Sequence, residues 1–79
     1  MQTIFVQLKC DLGQAYEVAA ALAEQEGVSE VYSISGQYDL LAKCYLEAGQ
    51  DIGRFVANQV QSLKGVRDTY TTITFNAFT

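Results

Sequence analysis

The chain has no histidine, no proline and no tryptophan, and only two cysteines and five basic residues among its 79. Each scarcity excludes something. Without histidine there is no Ser-His-Asp triad, no imidazole general base and no histidine metal site. The five Lys and Arg face nine Asp and Glu, a formal charge of −4. That balance is the reverse of a nucleic-acid footprint, so direct DNA binding is not expected. No apolar run approaches the roughly 18 residues of a membrane helix, and no charged-then-apolar leader opens the chain. Cys10 and Cys44 sit in strand-like apolar stretches, not in C-x-x-C spacing. A reduced, cytoplasmic setting is expected, with no metal and no cofactor.

What is present is a foldable core. Hydrophobic residues make up 49% of the chain. One core takes about 100 residues, so residues 1–79 form a single domain. A domain this small buries only about 60% of its unfolded surface. With neither disulfide nor metal to support it, oligomerisation is the natural source of further stability.

Thr3–Cys10 reads as a strand, with Ile4, Val6, Leu8 and Cys10 on one face at period two. Asp11-Leu12-Gly13 breaks it. Gln14–Glu26 reads as a helix with an apolar stripe of Ala15, Val18, Ala19, Leu22 and Ala23, and Gly27 stops it. Val28–Ser35 is a second strand, Gly36-Gln37 a turn, and Tyr38 opens a return strand to Glu47. Leu40, Ala42, Cys44 and Leu46 share one face of that strand. Asp51 is placed to cap a second helix that buries Ile52, Phe55, Val56, Val60 and Leu63 and ends at Lys64-Gly65. Arg67–Phe78 reads as a long last strand.

The two halves repeat. Adding 38 carries Val18 to Val56, Ala19 to Ala57, Leu22 to Val60, Gly27-Val28 to Gly65-Val66 and Tyr32 to Tyr70. Two βαβ units in tandem predict an α+β, ferredoxin-like βαββαβ fold. Right-handed crossovers put strands 1 and 3 at the centre of a four-stranded antiparallel sheet, with both helices on one face. The other face is left bare, with Phe5, Leu41 and Tyr45 on it. A sheet-to-sheet dimer through those residues is the simplest closure.

Two segments stand out chemically. In Ser35-Gly36-Gln37-Tyr38-Asp39-Leu40-Leu41, the plain reading is a tight turn with Asp39 satisfying turn amides. The functional reading adds a ligand, since amides around a glycine turn hold a carboxylate and an acidic side chain holds an ammonium. Together they suit a free amino acid. In Thr69-Tyr70-Thr71-Thr72-Ile73-Thr74, strand propensity explains most of the threonines, while a row of hydroxyls also suits a polar ligand at a subunit contact. Cys10 and Cys44 follow their strands' periodicity and read as buried structural thiols. The tyrosines read as core or interface residues.

These residues resemble a known family. Gly36-Gln37-Tyr38-Asp39-Leu40-Leu41 resembles the G-x-Y-D-L-L signature of the Lrp/AsnC effector domain, also called the RAM domain. Gly65-Val66 with Thr69, Thr71, Thr72 and Ile73 resembles that domain's closing strand. The resemblance implies sheet-paired dimers assembling into rings, with amino acids at dimer–dimer contacts. Carried over by position, Gly36, Tyr38, Asp39, Leu40, Thr71 and Thr72 are the ligand-binding residues. The Gly36 and Leu40 backbone then takes the carboxylate, and Asp39 takes the ammonium or sets loop geometry. Most members carry a helix-turn-helix domain ahead of the effector domain. Met1 lies two residues before the first strand, so a stand-alone version is expected. Such a version senses or buffers amino acids, or pairs with a full-length regulator.

The rival from another class is a small dimeric α/β-barrel enzyme, a cofactor-free monooxygenase or isomerase. Without histidine and with one notable carboxylate, it has little to work with. An ACT-type amino-acid-binding domain shares topology and ligand class. An RRM-type module lacks its basic-aromatic pattern here, and a copper chaperone lacks its Met-x-Cys-x-x-Cys.

Overall fold

The computed structural model describes all 79 residues. The element order is β1 (Gln2–Cys10), α1 (Ala15–Ala23), β2 (Val28–Ser33), β3 (Leu40–Leu46), α2 (Ile52–Phe55), which runs on as a π-helix over Val56–Gln61, and β4 (Val66–Ile73). The sheet order is β2-β3-β1-β4, and every pairing is antiparallel. This is the predicted βαββαβ arrangement with β1 and β3 central.

Period two decides which side chains enter the core. Ile4, Val6, Leu8 and Cys10 alternate inward along β1, and Leu40, Ala42, Cys44 and Leu46 do so along β3. Val18 and Leu22 from α1 and Phe55, Val56 and Val60 from the second helix close over them. No polar or charged residue is buried, so the core is held by apolar contact alone.

The element ends differ from the sequence reading, each for a local reason. Helix α1 spans Ala15–Ala23 instead of Gln14–Glu26, because its last amides turn tighter. Glu24 N–H donates to Ala21 O and Gln25 N–H to Leu22 O. Strand β2 stops at Ser33 and β3 starts at Leu40, so the connection is a six-residue loop (34–39) and not a two-residue turn. Strand β4 stops at Ile73 instead of Phe78: Ile73 pairs with Ile4 and Thr74 N–H still reaches Thr3 O, but the Gln2 side chain then takes Thr74 O and no backbone hydrogen bond follows, although β1 continues to Gln2.

The π-helix has a sequence cause. The helix caps Gln14 and Asp51 lie 37 positions apart, whereas the closing glycines Gly27 and Gly65 lie 38 apart. The second helix therefore holds one residue more between the same two points of the fold. A π-turn absorbs one extra residue. Asp51 caps this helix as predicted, its carboxylate accepting Arg54 N–H at 3.0 Å.

The two closing glycines interlock the halves. Gly27 has φ +91°, and a Cβ there would lie 2.7 Å from the Phe55 ring. Gly65 has φ +95°, and its Cβ would lie 2.9 Å from Val18. Each glycine at the end of one repeat packs against the helix of the other.

Candidate functional site

The predicted signature loop, residues 34–39, leans on the far end of β1. Three hydrogen bonds fix it there. Asp39 N–H donates to Leu8 O at 2.8 Å, and the Lys9 ammonium donates to Gln37 O at 3.0 Å. Asp39 Oδ2 accepts Cys10 N–H at 2.8 Å. Asp39 thus does what the plain reading of the turn asked, satisfying a backbone amide, and its Oδ1 remains without a partner in the chain. Sequence reasoning missed Lys9; its alternation along β1, outward between inward Leu8 and Cys10, was the only signal.

Between Ile34 and Asp39 the backbone is open. Ile34 N–H reaches Asp39 O at 2.9 Å, but the amides of Ser35, Gly36, Gln37 and Tyr38 donate to no acceptor in the chain. Gly36 has φ +102° with nothing within 4 Å of a Cβ position, so glycine is needed for the backbone angle and not for space. Ser35, Gly36 and Gln37 are exposed, so their unpartnered amides are free to donate to an anion such as a carboxylate.

Tyr38 joins the loop to the last strand. Its ring lies 6.2 Å from that of Tyr70, tilted by 36°. The loop and β4 thereby meet at Tyr70. The remaining predicted site residues are arranged differently. The Leu40 side chain is fully buried, paired across to Leu8 and Ser33, so only its backbone is near the loop. Thr71 pairs with inward Val6 and Thr72 with outward Phe5. Neighbouring strand residues face opposite ways, so the two hydroxyls do not share a sheet face.

The helix-free face carries three cross-strand rows. Tyr32, Leu41, Gln7 and Tyr70 form one, Glu30, Lys43, Phe5 and Thr72 the next, and Tyr45 with Thr3 a third. Phe5, Leu41 and Tyr45 are on this face as predicted from their alternation. A polar cluster unforeseen in the sequence crosses it. Lys43 Nζ lies 3.6 Å from Glu30 Oε2 and 5.4 Å from the centre of the Tyr45 ring, and the Tyr32 hydroxyl donates to Glu30. The Tyr32 hydrogen bond, then the Lys43 charge, hold the Glu30 carboxyl below its usual range. Tyr45 and then Glu30 push the Lys43 ammonium up.

Both thiols are buried and free. Burial raises the Cys44 thiol to about 11. Burial first, then the Asp39 and Asp11 charges, raises Cys10 as well. Both stay protonated at neutral pH and are poor nucleophiles. No group of three or more His, Cys, Asp or Glu gathers to hold a metal ion. No helix is long and apolar enough to cross a membrane. A cleft of about 760 Å³ lies at the other end of the sheet, between Gly27, Tyr45, Arg54 and Phe55.

Comparison with known proteins agrees with this geometry. The family model of the Lrp/AsnC ligand binding domain matches residues 3–79. An uncharacterised HTH-type transcriptional regulator of Pyrococcus horikoshii, PH1916, is 37% identical over 59 residues. The match takes in 75% of this chain and 39% of the regulator, so the chain corresponds to less than half of that relative's length. The crystal structure of TTHA0845 from Thermus thermophilus superposes with a TM-score of 0.91 at 34% identity, covering 100% of this chain and 99% of that one. The Neisseria meningitidis transcriptional regulator NMB0573, solved as an L-Met complex, superposes with a TM-score of 0.85 at 19% identity, over 99% of this chain and 52% of that one. At that identity the likeness is one of fold. With its sheet order, its signature loop and a family match from residue 3 to 79, this chain belongs to the Lrp/AsnC ligand-binding-domain family.

Proposed function

We propose that this chain is a cytoplasmic regulatory module that senses a free amino acid, working as a sheet-to-sheet dimer that assembles further, with the ligand held where dimers meet. The observation that carries the reading is the row of unpartnered amides at 35–38 beside the half-free Asp39 carboxylate. Amides suit the ligand's carboxylate and Asp39 Oδ1 its ammonium, so the loop offers both halves of a zwitterion's recognition. The L-Met complex of a protein with the same fold supports the ligand class, and the HTH-type relatives support a regulatory output.

The roles follow from placement. Gly36 supplies the positive φ at which the loop turns, in the stretch whose amides have no acceptor in the chain. Asp39 holds the loop to β1 through Cys10 and keeps one oxygen for the ligand. Tyr38 and Tyr70 fix the loop against β4. Thr72 faces the helix-free side and Thr71 the helix side, so a ligand seated between copies meets them from different directions. The protein acts by binding and not by catalysis, and modulation of a full-length regulator through shared oligomers is the output that fits.

Isothermal titration of the full chain with each of the twenty amino acids tests the proposal. Saturable binding of one or a few, weakened sharply by Asp39→Ala, is the expected result. The absence of heat with every amino acid at millimolar concentration removes the sensing role.

A further inference from the structure

Two features rich in exposed aromatic side chains are left uncovered in the single chain, and they lie side by side. One is the helix-free sheet face, where Tyr32, Tyr45 and Tyr70 are 54%, 36% and 57% exposed. The other is the segment after β4, Thr74-Phe75-Asn76-Ala77-Phe78-Thr79, in which Phe75 and Phe78 are each 93% exposed. Phenylalanines so fully in water have no stabilising role within their own chain.

The reason they stay out is visible in the hydrogen bonds. The Thr74 hydroxyl donates to Thr3 O at 2.6 Å, and Gln2 Nε2 donates to Thr74 O at 2.9 Å. The Gln2 side chain thus takes the Thr74 carbonyl, and pairing ends there although β1 continues to Gln2. No hydrogen bond within the chain reaches Phe75–Thr79, so the backbone groups there are free to pair elsewhere. The segment carries no charged side chain and leaves the sheet at the Thr3 and Tyr45 end of the helix-free face.

We propose that residues 74–79 form a docking arm that lies on the helix-free sheet face of a second copy of this chain, placing Phe75 and Phe78 against the partner's aromatic rows. This extends the sheet-to-sheet dimer proposed above and rests on it. A two-fold pair satisfies every uncovered feature at once, since each copy gives one arm and receives one. The arm carries no charged side chain to compete with the Glu30–Lys43 pair that crosses that face. Its removal leaves the monomer core intact, because neither phenylalanine touches it.

The test mixes isotope-labelled and unlabelled full chain and reads intermolecular nuclear Overhauser effects from the Phe75 and Phe78 rings. Sedimentation of Phe75→Ser/Phe78→Ser is run beside it. Expected are intermolecular contacts to Phe5, Leu41 or Tyr45, with a dimer dissociation constant raised at least about tenfold in the variant. A dimer whose phenylalanine rings contact only their own chain, another surface or nothing overturns the arm and leaves the sheet dimer standing. So does an unchanged dissociation constant. A wild-type chain that stays monomeric at micromolar concentration overturns both.

Discussion

Asp39 and Cys10 are 29 residues apart in sequence, yet the carboxylate of one accepts the amide of the other at 2.8 Å. This bond closes the end of β1 where its register with β4 shifts, between Lys9 and Cys10. It also anchors the loop that carries the free amides. Fold and candidate site therefore share one side chain. Asp39→Ala removes a charged acceptor from a partly buried amide and costs about 1–2 kcal/mol, read as a lower urea midpoint at unchanged slope. Asp39→Asn keeps an acceptor oxygen and recovers more than half of that loss. It still binds an amino acid more weakly, because the charge is gone.

The glycines separate backbone strain from crowding. Gly36→Ala meets open space and loses only through its positive φ, about 1 kcal/mol. Gly27→Ala carries the same strain and also drives a methyl into Phe55 and to 3.2 Å from Tyr45 O, for a loss of about 3 kcal/mol. Chemical denaturation of the two variants side by side checks the order. Equal losses contradict the interlocking of the two halves.

Burial of the thiols sets an alkaline limit. The folded chain holds the Cys44 proton up to about 11, against an ordinary value of 9.0. The unfolded chain releases it earlier, so stability is full below pH 9.0 and falls as pH rises towards about 11. Cys10, shifted in the same direction, adds to the fall. Calorimetry across that window shows a declining Tm, and Cys44→Ala makes the decline shallower. A wild-type Tm that stays level from pH 9.0 to 11 contradicts it.

The helix-free face is expected to be the dimer contact. Leu41 lies in its first row between Tyr32 and Gln7. Leu41→Arg places an unpaired charge there and raises the dimer dissociation constant at least about a hundredfold, while the circular dichroism spectrum is unchanged. Sedimentation equilibrium measures the first and excludes misfolding through the second.

Much of this was legible in the residues. The inward sets Ile4-Val6-Leu8-Cys10 and Leu40-Ala42-Cys44-Leu46 follow from period two, and the same alternation places Phe5, Leu41 and Tyr45 outward. Asp51 announces its cap. What was hidden depends on non-local geometry. The reach of Asp39 to Cys10 requires the strand order. The early end of β4 requires knowing that the Gln2 side chain takes Thr74 O. Thr71 and Thr72 enter together through the resemblance by position, and strand alternation sets them on opposite faces. The π-turn was present as a change of repeat offset, 37 at the caps and 38 at the glycines, which matching at one fixed offset passes over.

Amino-acid sensing within an assembly larger than a dimer is the central claim. The most direct measurement is a thermal-shift series against the twenty amino acids on the full chain, with its mass followed by light scattering. A ligand binding only the folded state at a hundred times its Kd adds about 2.7 kcal/mol, which raises the Tm of a domain this size by roughly ten degrees or more. The predicted result is a concentration-dependent rise for one or a few amino acids on an assembly of several dimers. A level Tm with all twenty at millimolar concentration, on a particle no larger than a dimer, contradicts it.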